Sequence, residues 1–597
     1  MYAFTTDNPM QRETVPYERT RIDQEKTPGE QTLTSWWIRS QESFHGGAGQ
    51  LYLEPPIDSP VASIRFSGSK NVDVFTPSRV TRLPDTAVVT TDPCVAVVGL
   101  AVSGVDALAY LTAVPGTVKL MTSVTGAPAV STCSGVSNVL ALSTDGSRIY
   151  AATATDVWAI NPATPTAATK LATYPASATS GPVLGWVKSR LMLGVNGAVY
   201  QVDVSQSGVT LGASQLLFQH PTPGWTWRCF AESPTAILSA GDAYGVSEIA
   251  QYTLNDVAGA PTLQVGGTIA SMPVGERILS LRNVMGTYLV IGTTHGVRVG
   301  QFDSFWSRLT WGPLELLPTD PTIPCNAIIT RDRFAYAVGM AYDEGGLLAV
   351  DLGTKTDQAG RYAWSGHLTA PALTSTPANC GTSLPVSGRL VFNIPGTGLL
   401  LEGVGPGGNR EAWLQTSMMR FGTVEPKLWK VGRIRGAFAD SEVIVNGITA
   451  DGEATLATVG FTTTDPPEFN LPAGQYEWLA FKFQLSGTGA LLRAYQAKAL
   501  PGTRRQRRIK LVLAIYDRET TRSGQQVRDT LSARGRLAAL EAMDTAGDEI
   551  LFQEFTPSGV VNTNVVVESV SYMQIGRPTR TSDLGGAATV TLRTVES

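Results

Sequence analysis

The chain has 597 residues, among them 60 glycines and 36 prolines; only 16% are charged, and the formal net charge is −4 at pH 7. That length exceeds what one hydrophobic core usually supports, so two or three domains are expected. The near-neutral balance argues against stable nucleic-acid binding, which would bring a basic excess, and so little charge with so much Gly and Pro favours short strands and turns over helices, on a surface much of which neighbours cover.

Residues 1–85 read as an extended N-terminal arm with short strands. The first 34 are polar and rich in Thr, Glu, Arg and Pro, without periodicity, and would order only against a partner or another domain. They show no basic stretch followed by an apolar core, so no secretory signal is expected. Trp36 and Trp37 then precede Phe44 and the glycine-rich His45–Gly49. Paired tryptophans there suit either a plug into a partner's groove or ordinary core packing; burial of each contributes about 2–3 kcal/mol.

Residues 86–408 carry a recurring strand–turn–strand unit, clearest in SRIYAATATDVWAIN (147–161) and SRLMLGVNGAVYQVD (189–203). Asn196-Gly197 is a strong hairpin signal because the tight turn needs positive φ. Leu108, Ile149, Leu191, Ile237, Leu289, Phe334 and Leu390 mark one strand of each copy, at a loose period mostly in the forties. Such a period with about four short strands predicts a β-propeller, of about seven blades. Trp225 and Trp227 in PTPGWTW, with Trp306, Trp311 and Trp364, read as loop aromatics that cap blade cores or stack on sugars. The run GVGPGG at 403–408 reads as a linker.

Residues 409–597 read as a β-sandwich-like attachment domain of mostly antiparallel strands, with one helix over about 532–545 where Leu537, Leu540 and Met543 share a face and Gly547 supplies the stop. The one strong local field is Arg504, Arg505, Arg507, Arg508 and Lys510, suited to guarding a strand edge or docking on an acidic partner.

Catalytic patterns are missing from the sequence. It has no GxSxG and no GxxxxGK[ST], and its four histidines lie far apart without HExxH or zinc-finger spacing. No enzyme activity, cofactor or metal is expected. Five scattered cysteines, Cys94, Cys133, Cys229, Cys325 and Cys380, read as buried free thiols. No run of 18 apolar residues occurs, so no membrane insertion by a helix is expected.

RRIKLVLAIYDRE (507–519), GRLAALEAMDTAGDEILFQEF (535–555) and GGAATVTLRTV (585–595) resemble the terminal domain of minor tail proteins of long-tailed phages of actinobacteria. SWWIRSQESFHGGAG (35–49) and NVDVFTPSRV (71–80) are similar to the start of phage tail-tip proteins that carry a propeller, and RFGTVEPKLWK (420–430) to the strand leading out of one. The resemblance covers both ends, about 250 residues; the middle rests on the period alone. It implies a structural virion protein of the tail tip or baseplate, assembled as a trimer or hexamer around the tail axis. Its implied partners are tail tube, distal-tail or hub proteins, with Trp36, Trp37, Phe44, Arg504, Arg505, Arg507 and Arg508 as assembly contacts. The alternatives are a host-receptor module that reads glycan through Trp225, Trp227 and Trp311, and the nozzle of a short-tailed phage.

Overall fold

A computed structural model describes residues 11–14, 37–53, 61–114, 116–124, 129–257, 260–303, 308–315, 324–342, 344–372, 374–403, 411–438, 441–460, 468–487, 489–501, 507–517, 519–520, 526–527, 532–557, 559–574 and 585–595. The fold is mainly β, with one α-helix among the described residues. The chain forms two compact units. The larger joins Trp36–Phe421 with Trp429–Ala499; the smaller joins Met1–Ser35, Gly422–Leu428 and Leu500–Ser597.

In the larger unit, seven sheets of four or five strands, antiparallel except for one parallel pair in the second, follow one another among the described residues. Their first strands are Cys94–Val102, Ala141–Thr144, Val183–Val187, Thr226–Glu232, Ile278–Val284, Ala327–Arg331 and Cys380–Ser383. Each packs against the next, and the seventh packs against the first. This is stacking of the β-propeller type, in which sheets that cannot bury their own faces share cores with their neighbours. One shared core joins Tyr150 and Leu171 of the second sheet to Leu184 and Leu193 of the third. Another joins Met192 and Val199 of the third to Trp227 and Ile237 of the fourth.

The second strands are the most apolar. Ile149–Ala152, Ala236–Ala243 and Leu390–Ile394 are buried at every residue. A strand in mid-sheet, covered on both faces, loses the inside–outside alternation. The seven sequence markers, Leu108 through Leu390, each fall on the second strand of a different sheet. Two tight turns build the third sheet: Lys188-Ser189 at φ 50° and 56°, and Asn196-Gly197 at 49° and 75°. Positive φ at both central positions matches the right-handed twist of the flanking strands. The seventh sheet is completed from the far end of this region: Thr86–Thr90 pairs antiparallel with Gly398–Glu402.

The rest of the larger unit is two further sheets. One runs Gly68–Lys70, Trp413–Gln415, Ala480–Gly487, Ser441–Thr449, Gly452–Gly460. The other holds Leu491–Pro501, flanked by Trp37–Gln41 and by Val80–Arg82, which pairs with Val72–Asp73. Aromatic rings fill the space between them. Phe481 meets Phe469 at 5.9 Å and Tyr495 at 5.5 Å, and Tyr495 meets Phe44 at 6.2 Å. The sheets therefore divide the chain differently from the expected arm of 1–85 and single domain of 409–597. Residues 37–85 supply four strands of this sandwich. Those strands are two to five residues long, too short to show alternation, and three of the four pair with partners hundreds of residues away.

The smaller unit is a five-stranded antiparallel sheet ordered Gln11–Thr14, Arg507–Tyr516, Gly585–Thr594, Gly559–Gln574, Ile550–Thr556. The helix Ala533–Ala546 covers one face, burying Leu540 against Leu511, Leu513, Val590 and Leu592. Ser532 Oγ accepts a hydrogen bond from Gly535 N at 3.2 Å, and Gly547, at φ 63°, donates from its N–H to Met543 O. These are ordinary helix start and stop devices. Alternation places Val512, Leu551, Phe555, Val560 and Met573 on the opposite face, where all five are exposed, Phe555 to 79%.

Candidate functional site

Two places in the larger unit concentrate polar groups. The first is a cavity of about 530 Å³ among the first strands of the third to seventh sheets. The Lys188-Ser189 turn, Glu232, Arg282, Asn283, Thr330 and Ser383 contribute its polar lining. Glu232 Oε2 accepts from Lys188 N at 3.1 Å, and Lys188 Nζ donates to Pro234 O at 2.7 Å. Arg282 is open to the cavity yet ringed by protein, and Nε donates to Ile328 O at 3.3 Å. That burial lowers the guanidinium pKa from its ordinary value, and the nearby Cys229 and Glu232 oppose the shift. Asn283 Oδ1 accepts from Gly286 N, while Nδ2 has no partner among the described residues. Two cations against one carboxylate suit a small polar or anionic ligand.

The second is the joint between the sandwich and the sixth sheet. The outer strand of that sheet, Tyr362–Thr369, would otherwise present open backbone groups. The sandwich covers it: Ala48 N donates to Trp364 O at 2.8 Å, and Asn71 N to His367 O at 3.0 Å. Asn71, at φ 54°, also accepts from Thr369 N through Oδ1 and donates from Nδ2 to Glu411 O. Ser69 and Ser365 hydroxyls meet at 2.9 Å, and Tyr342 OH accepts from Ser69 N at 2.8 Å. Lys70 Nζ is ion-paired with Glu344, both side chains buried, and Glu411 lies 3.6 Å away. The approach is close: a Cβ on Gly366 would sit 2.2 Å from Ser69 O.

Near this joint His367 is buried against the Tyr336 ring, centroids 4.8 Å apart. Burial, with Arg331 nearby, lowers its pKa to about 3, so it stays neutral. Glu315 is buried as well. Burial pushes its carboxyl up to about 8, although Oε2 accepts from Tyr362 N at 3.1 Å. Among the described residues no group of three or more His, Cys, Asp or Glu could hold a metal ion. No helix of the described residues is long and apolar enough to cross a membrane.

Trp37 and Phe44 are 2% and 1% exposed inside the sandwich, Trp37 against Phe421 at 5.3 Å. They are core residues and present nothing to a partner, so the core-packing alternative holds for them. Trp36, Arg504 and Arg505 lie outside the described residues, as does the Arg507 side chain. Arg508 pairs with Glu568 through two hydrogen bonds of 2.7 and 2.8 Å across the sheet of the smaller unit.

Trp225 and Trp227 are 4% and 3% exposed, Trp225 stacked on His220 at 3.6 Å and Trp227 within the strand Thr226–Glu232. Neither indole has a face left for a sugar, which removes both as glycan contacts. Trp311 sits in the strand Leu309–Leu314, half-buried, with the Arg298 guanidinium 4.8 Å above its ring. Trp364 is buried and Trp306 lies outside the described residues.

Sequence reasoning missed the joint and the cavity. Lys70-Asn71, two polar residues following Ser67-Gly68-Ser69, was the available signal for the first. Arg282 carried none.

No protein-family model matches the chain, and no curated protein matches it. Among solved structures, the chain is similar to the RRP9 WD40 repeats at 13% identity, covering 53% of this chain and 92% of that one with a TM-score of 0.36. It is also similar to the Neurospora crassa Pan2 WD40 domain at 9% identity, covering 53% and 94% with a TM-score of 0.34.

Proposed function

We propose that this chain is a structural, non-enzymatic protein of a phage tail tip, that its seven stacked sheets are the seven blades of a β-propeller, and that it assembles with copies of itself around the tail axis. The observation that carries this reading is the buried joint at Lys70 and Glu344. A propeller whose outer strand is hydrogen-bonded into a neighbouring sandwich, around a desolvated ion pair, is a rigid part rather than a swinging head. The sequence resemblance at both ends supports the location. The smaller unit suits attachment, because its uncovered sheet face exposes Leu551, Phe555, Val560 and Met573.

The test is mass spectrometry of gradient-purified particles of the phage that encodes the chain. The chain should co-purify at a fixed number of copies per particle. Purified particles lacking it would overturn the reading.

A second reading, a receptor module that takes a host glycan, is favoured by the cavity at Arg282. It predicts binding of acidic glycans by the full-length protein, lost on Arg282→Ala with the fold intact. A glycan array with no signal above background would eliminate it.

A further inference from the structure

Cys94 and Cys380 lie where the ring of sheets closes. Cys94 opens the first strand of the first sheet, and Cys380 opens the first strand of the seventh. Their Sγ atoms are 3.8 Å apart, and the residues are 2% and 7% exposed. The surrounding backbone is held in place. Cys94 O accepts from both Asn379 Nδ2 and Asn393 Nδ2 at 2.9 Å, and Asn393 Nδ2 also donates to Asn379 Oδ1. At the other end of the seam the Asp106 carboxylate accepts from the Val386 and Ser387 N–H groups at 2.8 and 3.0 Å. Two strands fixed in this way keep the sulfurs opposed. A disulfide needs an S–S separation of about 2.05 Å, so the sulfurs have about 1.8 Å to close, within the reach of side-chain rotation.

We propose that Cys94 and Cys380 are a disulfide-forming pair that cross-links the first sheet to the seventh when the folded protein meets a peroxide. One thiolate attacks hydrogen peroxide: an S–O bond forms, the O–O bond breaks, and hydroxide leaves to be protonated as water. The second sulfur then attacks the sulfenic sulfur. The S–S bond forms, the S–O bond breaks, and a second water leaves. Overall two thiols and one peroxide give one disulfide and two waters.

A small oxidant is required because the site is buried. The hydrogen bond to Cys94, together with burial, holds the Cys380 thiol well above the usual range, so the reaction quickens as pH rises. Burial also raises the other three thiols, Cys133 to about 11 and Cys229 and Cys325 to about 12, and none of them is paired with a second sulfur among the described residues. The cross-link would add a covalent closure to a ring otherwise closed by the strand Thr86–Thr90 and by packing. It spans nearly the whole set of sheets, and a long enclosed loop gives the larger stabilisation.

The test is peroxide treatment of the native full-length protein, followed by capping of free thiols under denaturing conditions and peptide mapping. The expected result is one peptide pair joined through Cys94 and Cys380, with the other three cysteines capped. Melting temperature should rise by about 5 °C or more, reversibly with dithiothreitol and not in Cys380→Ser. Recovery of Cys94 and Cys380 as free thiols, as unlinked sulfinic acids, or joined to other cysteines would overturn the proposal. The mapping uses the unmodified sequence, so it does not depend on whether the serine variant folds.

Discussion

Lys70 and Glu344 form an ion pair whose side chains are 6% and 5% exposed, joining residues 274 positions apart in the sequence. It ties the sandwich to the second hairpin of the sixth sheet. Both charges are out of water, so each depends on the other.

Removing one partner strands the other. Lys70→Met is expected to destabilise the larger unit by about 3–5 kcal/mol. The double variant Lys70→Met with Glu344→Leu should recover most of that loss, since an apolar pair of similar size avoids the desolvation. Thermal melting of the three proteins checks this. A single variant that melts like the parent would remove the pair from the account of rigidity.

Truncation separates the arm from the sandwich. Deletion of residues 1–35 should leave the larger unit folded, whereas deletion of 1–56 removes Trp37 and Phe44 from a filled core and should give aggregated or unfolded protein. Loss of a buried aromatic side chain alone costs about 3–5 kcal/mol. Solubility and near-ultraviolet circular dichroism report the outcome. A well-folded 57–597 fragment would show that these residues are dispensable to the core.

Trp227→Ala should act on stability, by about 3–5 kcal/mol, because the indole fills the core between the third and fourth sheets. Unchanged melting would mean that the indole is not part of that core.

Glu315 predicts a pH dependence. Its carboxyl titrates near 8 in the folded protein and near 4.5 when unfolded. The folded state therefore holds the proton more tightly. The resulting stability is fully present below about pH 4.5 and is lost as pH rises through about 8. Glu315→Gln keeps the shape without the titration. Its melting temperature should fall less than that of the parent between pH 5 and pH 8.5; parallel curves would contradict the assignment.

Phe555→Asp tests the smaller unit. The side chain is 79% exposed, so melting should shift by no more than about 2 °C. Incorporation into tails, scored by blotting purified particles, should drop at least tenfold. Normal incorporation would take this face out of the assembly.

Local signals read true where they were complete within a few residues. Asn196-Gly197 adopts the turn its residue types demand, and Ser532 and Gly547 bound the helix as capping chemistry requires. The recurring apolar strand was legible because the second strand of each sheet is buried on both faces. The first strands were not: Val183–Val187 mixes two buried residues with three half-buried ones and looks unremarkable in isolation.

Pairings between distant segments left no trace. Thr86–Thr90 finds Gly398–Glu402 across the whole set of sheets, and Trp37–Gln41 finds Leu491–Pro501. Trp36 and Trp37 suit a plug and a core equally well in the sequence, because a tryptophan next to a polar arm has the same composition whether its groove belongs to a partner or to its own chain. For Trp37 the groove is its own.

The most direct measurement is electron microscopy of intact particles carrying an epitope tag on this chain, labelled with gold-conjugated antibody. The account predicts label confined to the distal end of the tail, with averaged density there showing three or six copies of a propeller. Label on the capsid, or tagged protein found only free in the lysate, would contradict it.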